Sequence, residues 1–230
     1  MKLVGERRAF AAAVFAFFGV LYMIQALLGD GATVRMMWAI AGCYGLAFFS
    51  LVAGYFWARW FSVGLGLFGV LVAAAGVYQM GPEPMVLIIG GLHLGATLSL
   101  WGSTMAGSYD GQTAWRERYH MDDSAVQRLG RSVIRAGVSL PMVLIYAFAP
   151  KPGNAVLGFA AFGLVTLGLR ATVKLKTWGV VALGAAGALM VTLAGIDASA
   201  GGDILVPSLA GGLLISATVP FVRPMLRSLV

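Results

Sequence analysis

Acidic residues are scarce in this chain, and none sits in the middle of an apolar run. The nine Asp and Glu are Glu6, Asp30, Glu83, Asp110, Glu117, Asp122, Asp123, Asp197 and Asp203, all in loops or at segment ends. Proton- and ion-coupled transporters carry ionisable groups at membrane depth, so this distribution argues against a coupled pump. Cysteine is nearly absent too. Cys43 alone excludes an internal disulfide, a CxxC motif and a thiolate metal site, and reads as a small packed residue. No GxxxxGK[ST], HExxH or GxSxG occurs. Gly64, Gly66 and Gly69 spell G-x-G-x-x-G, but within an apolar run that no strand precedes, so the dinucleotide-binding context is missing. Charged residues make up 11% of the chain, against about 25% in a soluble domain, and no polar stretch is long enough for a separate soluble domain.

What the chain has in abundance is apolar length. Hydrophobic residues account for 60% of 230 positions, and the mean hydropathy is +0.87. About 20 apolar residues are needed to cross the hydrocarbon core as a helix. Eight segments qualify: Ala9–Leu28, Met36–Trp57, Trp60–Met80, Met85–Met105, Ser132–Ala149, Ala155–Leu169, Trp178–Ile196 and Ile204–Val222. The sixth is the shortest. The first follows Lys2, Arg7 and Arg8 and resembles a signal peptide, but its run is longer than an h-region and no small-x-small site follows, so it is read as a retained span. The expected fold is all-α: a polytopic integral membrane bundle of about eight transmembrane helices forming a single transmembrane domain, 1–230.

Threaded alternately, these spans place every one of the sixteen Lys and Arg except Arg35 and Lys151 on one side. Basic residues in short loops are retained in the cytoplasm, which puts both termini there. The net charge of +7 then reflects retained loops facing anionic lipid. Nucleic acid is not an expected partner, since no basic domain exists to carry it. Breaker clusters at 29–31, 81–84, 150–154 and 201–203 mark short outer turns. Trp57, Trp60 and Trp178 at one boundary, with Trp38, Tyr78 and Tyr146 near the other, form the aromatic belts of a spanning protein. The count also divides into halves of equal orientation, 1–107 and 124–230, joined by a cytoplasmic loop, 108–130. No residue-level match between them supports a repeat.

Four groups of residues are candidates for a site. His93, near the middle of the fourth span, shares a face with Thr97, Trp101 and Thr104. This polar seam either lines an intramembrane cavity or is a neutral histidine bonded to a neighbouring helix. Arg128, Arg131 and Arg135 recur at helical spacing after the caps Asp122, Asp123 and Ser124, and would touch lipid phosphates or an acidic partner, or simply snorkel. His120, Asp122 and Asp123 read as capping and solvated residues, not as a metal site, because converging ligands are lacking. Gly91, Gly95, Ser99 and Ser103, and likewise Ser208, Gly212 and Ser216, recur every four residues and mark close helix packing, within the chain or against another subunit. Pro141 is expected to kink the fifth span.

These features favour a non-catalytic, accessory or scaffold subunit of a larger membrane assembly, with no cofactor. The expected partners are membrane lipids and other membrane subunits or further copies of the chain. The alternative is a transporter or lipid-handling protein with a cavity near His93. Size and loop economy suit a bacterial inner membrane, and an organellar membrane would show similar chemistry.

Overall fold

The computed structural model describes residues 3–109, 117, 122–149, 154–202 and 204–227, and among these it contains helices and no strand. In chain order they are α1 (Val4–Leu28), α2 (Gly31–Ala53), α3 (Ala58–Met80), α4 (Pro84–Ser99), α5 (Ser103–Tyr109), α6 (Asp123–Phe148), α7 (Ala155–Val173), α8 (Thr177–Ser199) and α9 (Leu205–Arg227). Seven of them are long and apolar enough to cross a membrane, and an eighth crossing results if the bent pair α4–α5 is taken as one. The chain is a helical membrane bundle.

Its boundaries follow local chemistry. Gly54 ends α2 in the left-handed region at φ 73°, a conformation that glycine adopts without Cβ strain. Pro84 opens α4 at its first position, where the missing N–H has no acceptor to lose. Asp122 caps α6: its carboxylate accepts the Ala125 N–H at 2.6 Å and the Ser124 hydroxyl at 3.0 Å. The cap leads without interruption into the expected fifth span, so α6 is 26 residues long and contains Pro141. The sixth span, expected to stop at Leu169, continues to Val173.

The fourth span departs from expectation. Met85–Met105 is not one rod; α4 ends at Ser99, and α5 leaves it at 70°. At about 1.5 Å per residue, the 16 residues of α4 rise about 24 Å, short of the ~30 Å hydrocarbon core. The break is stabilised from outside the segment. The Arg7 guanidinium donates to the carbonyls of Ser99 at 2.8 Å, Leu98 at 3.2 Å and Trp101 at 2.6 Å. Leu98 and Ser99 lie in the last turn of α4, whose carbonyls the helix cannot all satisfy itself, and Trp101 lies just beyond it. Gly102 then turns the chain at φ 102°.

Contacts divide the bundle into two rings. α1 packs on α2 and α4, and α3 on α2 and α4; in the later part, α6 packs on α7 and α9, and α8 on α7 and α9. α6 joins the rings, packing against α3 and α2. Its tightest crossing is Gly64 on Gly137: a Cβ at Gly64 would lie 2.5 Å from the Ile134 carbonyl oxygen and 3.0 Å from the Gly137 Cα. Helices in lipid gain by such backbone approach, since dispersion replaces the hydrophobic drive.

One end of the bundle is basic. Arg7 reaches the end of α4, while Arg8 donates to the Val52 carbonyl near the end of α2 at 2.6 Å and lies over the Tyr109 ring. Arg59 and Arg131 line one cavity there, and Arg170 and Lys174 line another. The starts of α1, α3 and α6 and the ends of α2, α4 and α7 thus meet at this end, as alternate threading requires.

Candidate functional site

His93 lies at the centre of the first ring, on the face of α4 turned to α1, α2 and α3. It is 1% exposed, and Tyr44 on α2 is fully buried. The Tyr44 hydroxyl and His93 Nε2 are 2.7 Å apart, and Nδ1 lies 2.8 Å from the Ile89 carbonyl. A carbonyl only accepts, so Nδ1 carries the proton; the Nε2 lone pair is then free to accept from Tyr44. Both ring nitrogens are occupied. The Phe18 ring covers the imidazole at 4.1 Å between centroids, and Tyr22 stacks on Tyr44 at 5.4 Å. Thr97, one turn further on, donates to the His93 carbonyl at 2.8 Å.

The space for this pair comes from glycine. A Cβ at Gly69 would collide with the His93 ring, and one at Gly66 with the Thr97 hydroxyl. The G-x-G-x-x-G of α3 therefore acts as a seat: Gly66 and Gly69 face α4, while Gly64 faces α6. The expected seam of His93, Thr97, Trp101 and Thr104 does not form as one face. His93 and Thr97 are buried together, but the helix ends before Trp101, which is exposed, and Thr104 belongs to α5. The reason is the Arg7 cap on the carbonyls that a continuing helix would have used.

The arginine stripe is also divided. Arg128 turns back to its own cap, donating to the Ser124 hydroxyl at 2.8 Å with Asp122 at 3.9 Å. Arg131 is exposed beside a cavity of about 290 Å³ that Arg59, Trp60 and Trp101 also line. Arg135 points into the second ring and donates to the Ser216 carbonyl at 2.5 Å. Ser216 stands four residues before Pro220, which sits within α9. A proline has no N–H to offer that carbonyl, so the guanidinium supplies the missing donor. The pairing could not be inferred from either segment alone.

The Asp122 carboxyl is held below its ordinary range, first by the Ala125 backbone N–H and then by the Ser124 hydroxyl. It acts as a cap. His120 lies outside the described residues, and among those described no three His, Cys, Asp or Glu side chains converge. At the opposite end, Asp197 is buried within the last turns of α8 and accepts from Asn154 at 3.3 Å. Its position near a segment end gave no hint of burial.

The small-residue runs are placed unevenly. A Cβ at Gly95 would lie 3.4 Å from the Phe10 ring, whereas one at Gly91 or Gly212 would meet nothing within 4 Å. Ser208 and Gly212 are exposed, as is Ser103; Ser99 and Ser216 are half-buried. Within the chain, the close contacts of α9 lie one residue away, where Gly211 meets Gly187. No known family model, curated protein or solved structure matches this chain.

Proposed function

We propose that the protein is a non-catalytic subunit of a larger membrane assembly, with its basic end on the cytoplasmic side of a bacterial inner membrane. One observation supports this best. α9 carries two small-residue faces, and only one is used within the chain. Gly211 is packed to the limit against α8, while Ser208 and Gly212 look outward with open space beside them. An outward small-residue face lets a further helix approach closely, which is the main source of attraction between helices in lipid. The interior adds to this reading. His93, Tyr44, Arg7, Arg8 and Arg135 all make structural hydrogen bonds, and groups so committed are poorly placed for turnover or transport.

The test is native mass spectrometry of the protein extracted gently from its own membrane, alongside Gly212→Leu. The expected outcome is a stoichiometric complex with other membrane chains or further copies, lost or weakened in the variant. A partner-free monomer in both samples would sink the proposal.

A further inference from the structure

A second site lies between the two rings, away from the His93 pair. α6 packs on both α2 and α7, and over it runs a cleft of about 350 Å³. Its walls are apolar: Leu46 from α2, Phe61 from α3, Leu140 from α6 and Leu169 from α7. Its mouth at the basic end carries Trp57, Arg170 and Lys174. From Val133 to Leu140, both lining residues, α6 advances seven residues, so the cleft reaches about 10 Å along the bundle. Behind the same two cations is a smaller hollow of about 190 Å³, where Lys176 and Trp178 join Arg170 and Lys174. Neither wall contains an acidic residue, and Arg170 and Lys174 are exposed. Among the described residues neither side chain has a carboxylate partner; the ion pair described is Arg128 with Asp122.

We propose that this cleft holds one anionic phospholipid of the surrounding membrane. One acyl chain lies along Leu46, Phe61, Leu140 and Leu169, and the phosphate rests on Arg170, Lys174 and Lys176. The charge pattern selects this occupant. An apolar partner helix would leave three cations unpaired at the rim, and a soluble phosphate would leave the apolar walls uncovered. An anionic amphiphile satisfies both halves of the site. The volume is at the low end of the ~300–1,000 Å³ typical of small-molecule pockets, which suits a single chain. The bland role of Arg170 and Lys174 is to offset the carbonyls at the end of α7. That role needs no apolar cleft beside them and predicts no lipid selectivity. The site does not depend on the assembly proposed above, since it lies within one chain.

The experiment is native mass spectrometry of the purified full chain titrated with phosphatidylglycerol or phosphatidylcholine of the same acyl chains. Each basic contact near a membrane surface contributes on the order of 1 kcal/mol. Replacing two of them in Arg170→Gln/Lys174→Gln should therefore weaken phosphatidylglycerol binding about 30-fold. Phosphatidylcholine binding should change little. A phosphatidylglycerol carrying a photoreactive acyl terminus should label residues in α2 and α6 near Leu46 and Leu140. Equal retention of the two lipids by the wild type overturns the proposal, whether or not the variant folds. Labelling confined to the outward faces of α1 or α9 overturns it as well. Displacement of the lipid by millimolar inorganic phosphate alone would make the cations a soluble-anion site and likewise overturn it.

Discussion

In the first ring, α3 lies on α4 by seating an imidazole over Gly69. In the second, α8 lies on α9 by setting Gly187 against Gly211, each with the other's carbonyl oxygen within 3.0 Å of its would-be Cβ. The first contact uses a glycine to make room for a bulky polar side chain; the second uses glycines to remove side chains altogether. The interiors follow suit. Aromatic rings fill the first ring around the His93–Tyr44 pair: Phe18 and Tyr44 face the imidazole, and Phe15 and Tyr22 face Tyr44. Small and aliphatic residues fill the second, among them Ala186, Met190, Ala210 and Leu214. Where helices stand apart, a hydrogen-bonded polar pair can set their register. Where they touch backbone to backbone, shape alone does so.

The junction between the rings should be the most sensitive point. Gly64→Ala places a methyl group against the Ile134 carbonyl and Gly137 Cα, which are backbone atoms with little freedom to move. A loss of about 3 kcal/mol is expected, read as a fall in thermal stability in detergent. Gly45→Ala is the matched control, because its Cβ meets nothing within 4 Å. Equal effects at the two positions would show that the seam does not join the rings.

Next in size is the polar device of the second ring. Arg135→Met strands the Ser216 carbonyl and should cost about 2 kcal/mol. Pro220→Ala restores a backbone N–H to that carbonyl, so it should recover a large part of the loss when combined with Arg135→Met. Strict additivity in the double-mutant cycle would refute the pairing.

The polar pair of the first ring should count for less. Tyr44→Phe and His93→Leu are each expected to destabilise the protein by about 1 kcal/mol, with the double variant losing less than the sum. Strict additivity of the two changes would show that the pair does not act as a unit in setting the register of this ring.

The smallest effect belongs to the cap outside both rings. The folded state holds the Asp122 carboxyl below its ordinary value. Its contribution is thus complete above the ordinary carboxylate range and lost as pH falls through the lower folded value. Protection of the Ala125 amide, measured against its intrinsic exchange rate at each pH, should fall over that acidic window in the wild type. In Asp122→Ala that protection should be low at every pH, and a wild type without the pH response would show that the cap is not formed.

Apolar runs and basic ends made the helical membrane bundle legible, because both depend on composition within a single segment. The break after Ser99 was hidden for the opposite reason. Leu98, Leu100 and Trp101 continue the hydrophobic pattern, and the arginine that stops the helix lies 92 residues away. His93 stood out as a deep polar group, yet its partner Tyr44 is one of several aromatic residues in α2 and carries no local mark. Gly64, Gly66 and Gly69 lie within one helix, α3. Their helical phases, which divide them between two seams, are visible in the spacing once both neighbours are known. Arg128, Arg131 and Arg135 share a helical face by count, but Pro220 on a distant segment draws Arg135 away from the other two.

The cap on α4 also has an order in time. Arg7 and Ser99 are separated by 92 positions. At a synthesis rate of about 5–20 residues per second, the arginine precedes its acceptor by about 5 to 20 s. During that interval its guanidinium is free to hold water or lipid phosphate at the membrane surface. When α4 is made, the group that will cap it already exists in the chain, so the length of the fourth crossing is set against a residue contributed by the first.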